Sequence, residues 1–350
     1  MNKQNQNELY FLDILKFFAA ISIAVLLHYN DHFLPFLKQE NPLKNNAILY
    51  FLSINSYIFV EMFFIISGML FVKAYMKKIQ TNLSFFNFFS NRIRRIYPLL
   101  IITSLYMYIA NYILFEKTNT LWSGGTLELK ELILDIIFAG KSILFMPKTL
   151  NGPIWYIGVL MLCYLLAYFI TKFFKKYYIY CFLLLVIFGL FMNFHQNQYI
   201  LFNYDIARGL ISFFNGSLLM IFLQKQKIFS KKFIKIILVG ILIIICYYLY
   251  HKQIFLVPQY FTAIASTVIF PLLFIILYGS EFSFLKNKII RTLGDLSYPI
   301  YLWNFPIFIT LHLLITLNLL NINILSYHFL FLVAIIHIFV AYSYKRLFSI

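Results

Sequence analysis

Residues 154–170 read IWYIGVLMLCYLLAYFI, a run of seventeen residues without a charged side chain. A helix needs about 20 mostly apolar residues to cross a bilayer core, and this segment is close to that length. Nine other stretches have the same character. The predicted spans are residues 9–28, 48–71, 96–115, 154–170, 177–194, 206–223, 233–250, 259–279, 298–318 and 326–344. We therefore predict an all-α fold, a polytopic membrane helical bundle of about ten transmembrane helices.

The composition supports a membrane protein. Hydrophobic residues make up 62% of the 350 residues and charged residues 12%, against about 45–50% and about 25% in soluble domains. A soluble chain of this length could not bury so much apolar surface in one core. The same figures exclude intrinsic disorder, and long runs without strand alternation exclude a membrane β-barrel.

The formal net charge of +17 is interpreted as a topology signal. The 29 Lys and Arg residues lie mostly between the apolar runs, which favours the positive-inside rule over nucleic-acid binding. With a cytoplasmic N-terminus, twenty basic residues fall on the cytoplasmic side and seven outside. Both termini are predicted to be cytoplasmic, in a multi-pass protein of the cell (inner or plasma) membrane. Residues 9–346 form one predicted integral-membrane domain, after a short cytoplasmic tail of residues 1–8.

Ionisable residues inside the spans are costly in a membrane and are therefore candidates for function. Lys16, within the first turns of its span, could also snorkel to the cytoplasmic interface, and His28, at the outer end, could rest among lipid headgroups. Glu61 lies near mid-span and needs a partner. Arg208 could pair with Asp205, which is three residues earlier on the same helix. The sequence shows no Cys or His spacing typical of a metal site.

Arg92 and Arg95 are three residues apart in NRIRRIYP, residues 91–98. One helical turn separates them, so both guanidinium groups can face one ligand, and arginine suits phosphate oxygens. The alternative is a positive-inside anchor at the membrane surface.

Six stretches, in this order, resemble signature segments of the bacterial membrane acyltransferase family 3. They cover the chain from about residue 9 to 346. The matching positions are Asp13, Lys16, Ala19, Ala20 and His28; Glu61, Phe63, Phe64, Ser67 and Gly68; Arg92, Arg95, Tyr97 and Pro98; Trp155; Arg208 and Gly216; and Ser297, Tyr298, Tyr301 and Leu302.

The resemblance implies a membrane O-acyltransferase that moves an acyl group, usually acetyl, from cytoplasmic acyl-CoA to a hydroxyl of an extracytoplasmic cell-surface carbohydrate. Acyl-CoA is then the donor substrate, with no permanently bound cofactor, and membrane lipid surrounds the chain. The predicted catalytic residues are His28 as general base, with Glu61 and Lys16. The predicted donor contacts are Arg92 and Arg95 on phosphate and Ser67 and Gly68 on pantetheine. Arg208 and Trp155 are the predicted acceptor contacts, although Trp155 could instead anchor the interface.

Two positions depart from the family pattern. Eleven residues separate Lys16 from His28 where the family has ten, which turns the pair about 120° apart on a regular helix. Either a π-bulge absorbs the extra residue, or Lys16 no longer works with His28. Asn304 stands where the family often has histidine.

Two other classes of function remain open from the sequence. A transporter of polysaccharides or small molecules would account for the spans and the buried charges. A non-catalytic membrane scaffold would account for the irregular spacing of Lys16 and His28. Because the bilayer core is about 30 Å thick, an enzyme could transfer the acyl group directly from a deeply inserted thioester or through an acyl-enzyme relay.

Overall fold

A computed structural model describes residues 10–122, 127–137, 142–144, 149–195, 199–225, 232–279 and 287–348. The structure is 84% helical, and the described residues contain ten helices that are long and apolar enough to cross a membrane. They are α1 (Phe11–Phe36), α2 (Ala47–Thr81), α3 (Phe85–Thr118), α4 (Ile154–Phe173), α5 (Tyr178–His195), α6 (Tyr204–Lys225), α7 (Phe233–His251), α8 (Pro258–Leu277), α9 (Lys288–Thr316) and α10 (Tyr327–Phe348).

The predicted all-α bundle of ten spans is therefore confirmed. Between α3 and α4 lies a short helix, Leu129–Ile136, too short to span, and 3₁₀ turns cover Pro42–Asn45 and Ile254–Leu256. The predicted tail, residues 1–8, lies outside the described residues. The cytoplasmic placement of the two termini stays a prediction.

Several helices extend well beyond their apolar stretch. The helix α3 begins at Phe85 and α9 at Lys288, eleven and ten residues before the predicted starts. Pro299 and Pro306 lie inside α9, where each proline removes one main-chain hydrogen bond.

Three spans contain π-helical segments. In α1 these are Ser22–Leu27 and Tyr29–Phe33, on either side of His28; the others are Val72–Met76 in α2 and Ala265–Ile269 in α8. A π-bulge adds one residue to a helical turn. The first bulge of α1 lies between Lys16 and His28, so the structure supports the first of the two alternatives for their unusual spacing.

The chain divides into two compact units. The first comprises residues 1–14, 60–89 and 159–291, and its centre is α6. In the apolar part of α6, 83% of residues are buried, compared with 6% in α7. The backbones of α2 and α6 touch, because a Cβ at Gly216 would lie 2.2 Å from the carbonyl oxygen of Ile65.

The second unit comprises residues 15–59, 90–158 and 292–350. Its core is aromatic. The ring of Phe33 in α1 packs 5.1 Å from Phe308 in α9 and 5.7 Å from Phe329 in α10. The Tyr29 hydroxyl donates to the carbonyl oxygen of Ile324 at 2.7 Å. These contacts fix α1 against α9 and α10 close to His28.

Candidate active site

His28 lies between the two π segments of α1, and its side chain is partly exposed. The Nδ1 atom of its ring contacts the side-chain amide of Asn304 in α9. The rings of His32 and Phe305 stand edge-on to the imidazole, each with its centroid 5.2 Å away. The imidazole of His28 is thus in contact with the buried Asn304 side chain through its Nδ1 atom.

The loop before α4 holds this part of α9 in place. Pro306 cannot donate to the carbonyl oxygen of Leu302 four residues earlier, and the Nδ2 atom of Asn151 donates to that oxygen at 3.2 Å. The absence of a side chain at Gly152 admits the Phe305 ring, because a Cβ there would lie 2.6 Å from its atoms. The ring that packs on His28 is therefore positioned by this Asn-Gly pair.

No role was predicted from the sequence for Asn151, Gly152, His32 or Phe305, and Asn304 stood only as a departure from the family pattern. The available signal was the Asn-Gly-Pro triplet ahead of the tryptophan segment, which is typical of a tight turn. Nothing in the local sequence indicates that Asn304 reaches His28, 276 residues away.

Glu61 and Arg208 form a buried ion pair in the first unit. The Nε atom of Arg208 donates to Oε1 of Glu61, and Nη2 donates to Oε2 at 3.2 Å. Glu61 is fully buried and Arg208 is 7% exposed. The guanidinium also lies 5.5 Å from the centre of the Tyr204 ring. The partner that Glu61 needs is therefore Arg208, bound in the two-pronged geometry that makes arginine pairs strong.

The close contact of α2 with α6 explains the glycine of the Phe-Phe-x-x-Ser-Gly segment. A Cβ on Gly68 would lie 2.0 Å from the carbonyl oxygen of Phe213, and the Ser217 hydroxyl lies 3.3 Å from the Gly68 carbonyl oxygen. Packing alone accounts for glycine at this position. The predicted contacts of Ser67 and Gly68 with pantetheine stay predictions.

A cavity of about 300 Å³ lies against α3, α9 and α10 in the second unit. Its lining residues are Arg95, Asp295, Tyr298, Pro299, Tyr344 and Lys345. Arg95 is exposed at this cavity, whereas Arg92, one turn earlier, is partly buried and is not among the described lining residues. The structure thus assigns to the two arginines different surroundings, and only Arg95 faces the cavity.

The cavity and His28 both lie against α9. Tyr298 lines the cavity and Phe305 packs on His28, seven residues later and on the same helix face. Seven residues span roughly 10 Å of helix. Tyr156 of α4, next to the predicted acceptor contact Trp155, packs on Tyr301 between them, with ring centroids 5.6 Å apart.

Lys16 lies far from His28 along α1. Twelve residues of helix correspond to roughly 18 Å, so the π-bulge can return Lys16 to the face of His28 but cannot bring the two side chains into contact. The catalytic role of Lys16 stays a prediction.

Comparison with known proteins identifies one family. A family model described as an acyltransferase domain, that of acyltransferase family 3, matches residues 9–343. Comparison with curated proteins and with solved structures finds no match. Among the three classes of function that the sequence left open, the family match selects the enzyme. With its ten membrane-spanning helices, the chain belongs to acyltransferase family 3 and is a multi-pass membrane acyltransferase.

Proposed function

We propose that the protein is an O-acyltransferase of the cell membrane that moves an acetyl group from acyl-CoA to a hydroxyl of an extracytoplasmic cell-surface carbohydrate. The observation that carries this proposal is the placement of His28 and a cation-lined cavity against one helix, about two turns apart. A general base and an anion site are the two parts that acyl transfer from CoA requires.

His28 acts as the general base in this proposal. Its Nε2 atom takes the proton of the acceptor hydroxyl while the oxygen attacks the thioester carbonyl. An ester C–O bond forms and the C–S bond breaks. The proton then passes from the imidazolium to the sulfur of the departing CoA, which returns His28 to its neutral form.

Asn304 fixes the tautomer that this step needs. An asparagine amide presents either its NH₂ group or its oxygen to a neighbour, depending on rotation about its last bond. When Oδ1 of Asn304 accepts from Nδ1–H of His28, the lone pair is on Nε2, where the base must act. In the structure Nδ2 of Asn304 faces Nδ1 of His28, and the buried Asn304 oxygen has no hydrogen-bond partner within the described ranges. Turning the amide over gives that oxygen the Nδ1–H of His28 as its partner.

The donor binds with its phosphates at the cavity beside Arg95, and Arg92 adds positive charge one turn earlier. From there the thioester has to reach roughly 10 Å along α9 to His28, a distance shorter than an extended phosphopantetheine arm. This geometry favours direct transfer over an acyl-enzyme relay.

Glu61 orients Arg208 in our proposal and does not itself move a proton, because both of its carboxylate oxygens accept hydrogen bonds from that guanidinium. Arg208, held in this way, presents its guanidinium in a fixed direction as a contact for the acceptor. Trp155 is partly exposed and offers an aromatic face to a sugar ring.

The test is acyl transfer by the purified protein with radiolabelled acetyl-CoA and candidate surface glycans. Removal of a general base typically costs about 10²–10⁴ in rate, so His28→Ala should reduce kcat by that factor. His328→Ala is the matched control, since His328 is an exposed histidine of α10, and it should retain full turnover. Full turnover by His28→Ala would overturn the assignment of the base, and substrate flux without any need for CoA would favour a transporter.

A further inference from the structure

The cavity beside Arg95 contains a second cation that is already neutralised. Lys345 of α10 forms an ion pair with Asp295 of α9, with Nζ 2.7 Å from Oδ2. Both side chains line the cavity, and both are accessible, with exposed fractions of 24% for Lys345 and 43% for Asp295. Ion pairs with this much solvent contact contribute little to stability, so the geometry leaves the pair easy to separate.

A phosphate group is a better partner for Lys345 than the carboxylate. It carries up to two negative charges and more acceptor oxygens, and at this site it would also meet the Arg95 guanidinium. One further group of the wall is suited to an anion. Tyr344 is only 6% exposed, and its hydroxyl has no hydrogen-bond partner in the part of the chain that the structure describes.

We propose that Lys345 is a phosphate-binding residue of the donor site and that Asp295 is a built-in competitor for it. In the empty site Asp295 neutralises Lys345. When acyl-CoA binds, its phosphate displaces the carboxylate and takes the lysine. The inference rests on the proposed use of acyl-CoA as donor, and it assigns to the site two residues that the sequence did not single out.

The competitor gives the site selectivity. A ligand must bring enough negative charge to separate Lys345 from Asp295, which a small monoanion does not. CoA carries several phosphate charges and can separate the two residues. Specificity of this kind arises from a repulsive group as much as from attractive ones, and it keeps small monoanions out of the cavity.

The experiment measures the Kd of CoA and of pantetheine, which lacks phosphate, with the purified full-length protein. Loss of one charge-assisted contact corresponds to about tenfold in Kd, so Lys345→Ala should weaken CoA binding by about that factor. Asp295→Asn should strengthen it several-fold, a gain that misfolding cannot produce. Arg346→Ala, which removes the exposed neighbouring cation of α10, should change nothing. Pantetheine binding should be equal in all four proteins.

The outcomes separate this inference from the proposed function. If the unmodified protein does not bind CoA, acyl-CoA is not the donor and both proposals fall. If it binds CoA and Lys345→Ala binds equally well, the inference alone is wrong. Weaker CoA binding in Asp295→Asn would show that Asp295 supports the donor site and does not compete with it.

Discussion

Two polar contacts inside the spans, the Glu61–Arg208 pair and the contact of His28 with Asn304, differ in burial and in the number of hydrogen bonds. Glu61 and Arg208 are buried and satisfy each other through two contacts. His28 is partly exposed, and the described structure gives its ring one polar contact, with Asn304. An ionisable residue inside a span can therefore be accommodated in two ways. The Glu61–Arg208 pair holds a guanidinium in a fixed direction, whereas the described contact of His28 with Asn304 involves only the Nδ1 atom of the ring.

Substitution of Glu61 should lower stability more than any other change proposed below, because it removes the counterion of Arg208. Glu61→Gln keeps the side-chain shape but leaves the Arg208 charge buried without a counterion, a change that typically costs about 3–5 kcal/mol. We expect a large fall in the melting temperature of the purified protein. The double variant Glu61→Gln/Arg208→Gln should recover part of the loss, because it removes the uncompensated charge.

Glu40→Gln is the matched control for that experiment. Glu40 pairs with Lys44 at 2.9 Å on the surface, with exposed fractions of 89% and 55%. Exposed pairs contribute little, so the melting temperature should not change. Equal melting of Glu61→Gln and Glu40→Gln would show that the buried pair is not the stabilising element described above.

A smaller effect, on kcat, is expected when the contact between Asn304 and His28 is removed. Asn304→Leu keeps the size of the side chain but removes the group that orients His28, so kcat should fall about tenfold or more while the KM for acyl-CoA stays constant. Asn304→Asp retains an oxygen on Nδ1 and should restore most of the rate. Rescue by aspartate is not expected if Asn304 acts only by packing.

Asn193→Leu is the control variant for Asn304→Leu, because it also removes a buried side-chain amide. Asn193 in α5 is also fully buried; its Nδ2 donates to the carbonyl oxygen of Gln259 at 2.9 Å, and its oxygen has no partner among the described residues. This variant should leave kcat unchanged. A similar fall in kcat for both variants would mean that Asn304 has no special relation to His28.

The ten helices were predictable from the sequence because each apolar run is long enough to require a helix in lipid. The residues at which the helices begin and end could not be predicted in this way. The helices α3 and α9 begin eleven and ten residues before the predicted starts, in segments that mix polar and apolar residues, so no uninterrupted apolar run marks their first turns. The spacing between Lys16 and His28 raised the question of a π-bulge, but only the backbone hydrogen bonds of Ser22–Leu27 answered it.

The sequence indicated candidate residues of the site, but it did not indicate which residues they contact. The resemblance indicated His28, Glu61, Arg95 and Arg208 because each stands in a recognisable segment. Their neighbours come from distant segments, and a local pattern carries no information about them. Arg208 lies 147 residues from Glu61, and Lys345 lies 50 residues from Asp295.

In the proposed mechanism the acyl group passes directly from CoA to the acceptor beside His28. The most direct measurement incubates the purified protein with acetyl-labelled CoA in the absence of acceptor, then removes CoA under denaturing conditions and determines the label that remains on the protein. Direct transfer predicts no label on the protein and appearance of label on the glycan only after glycan is added. Stoichiometric label on the protein before acceptor is added would rule out direct transfer and establish an acyl-enzyme relay.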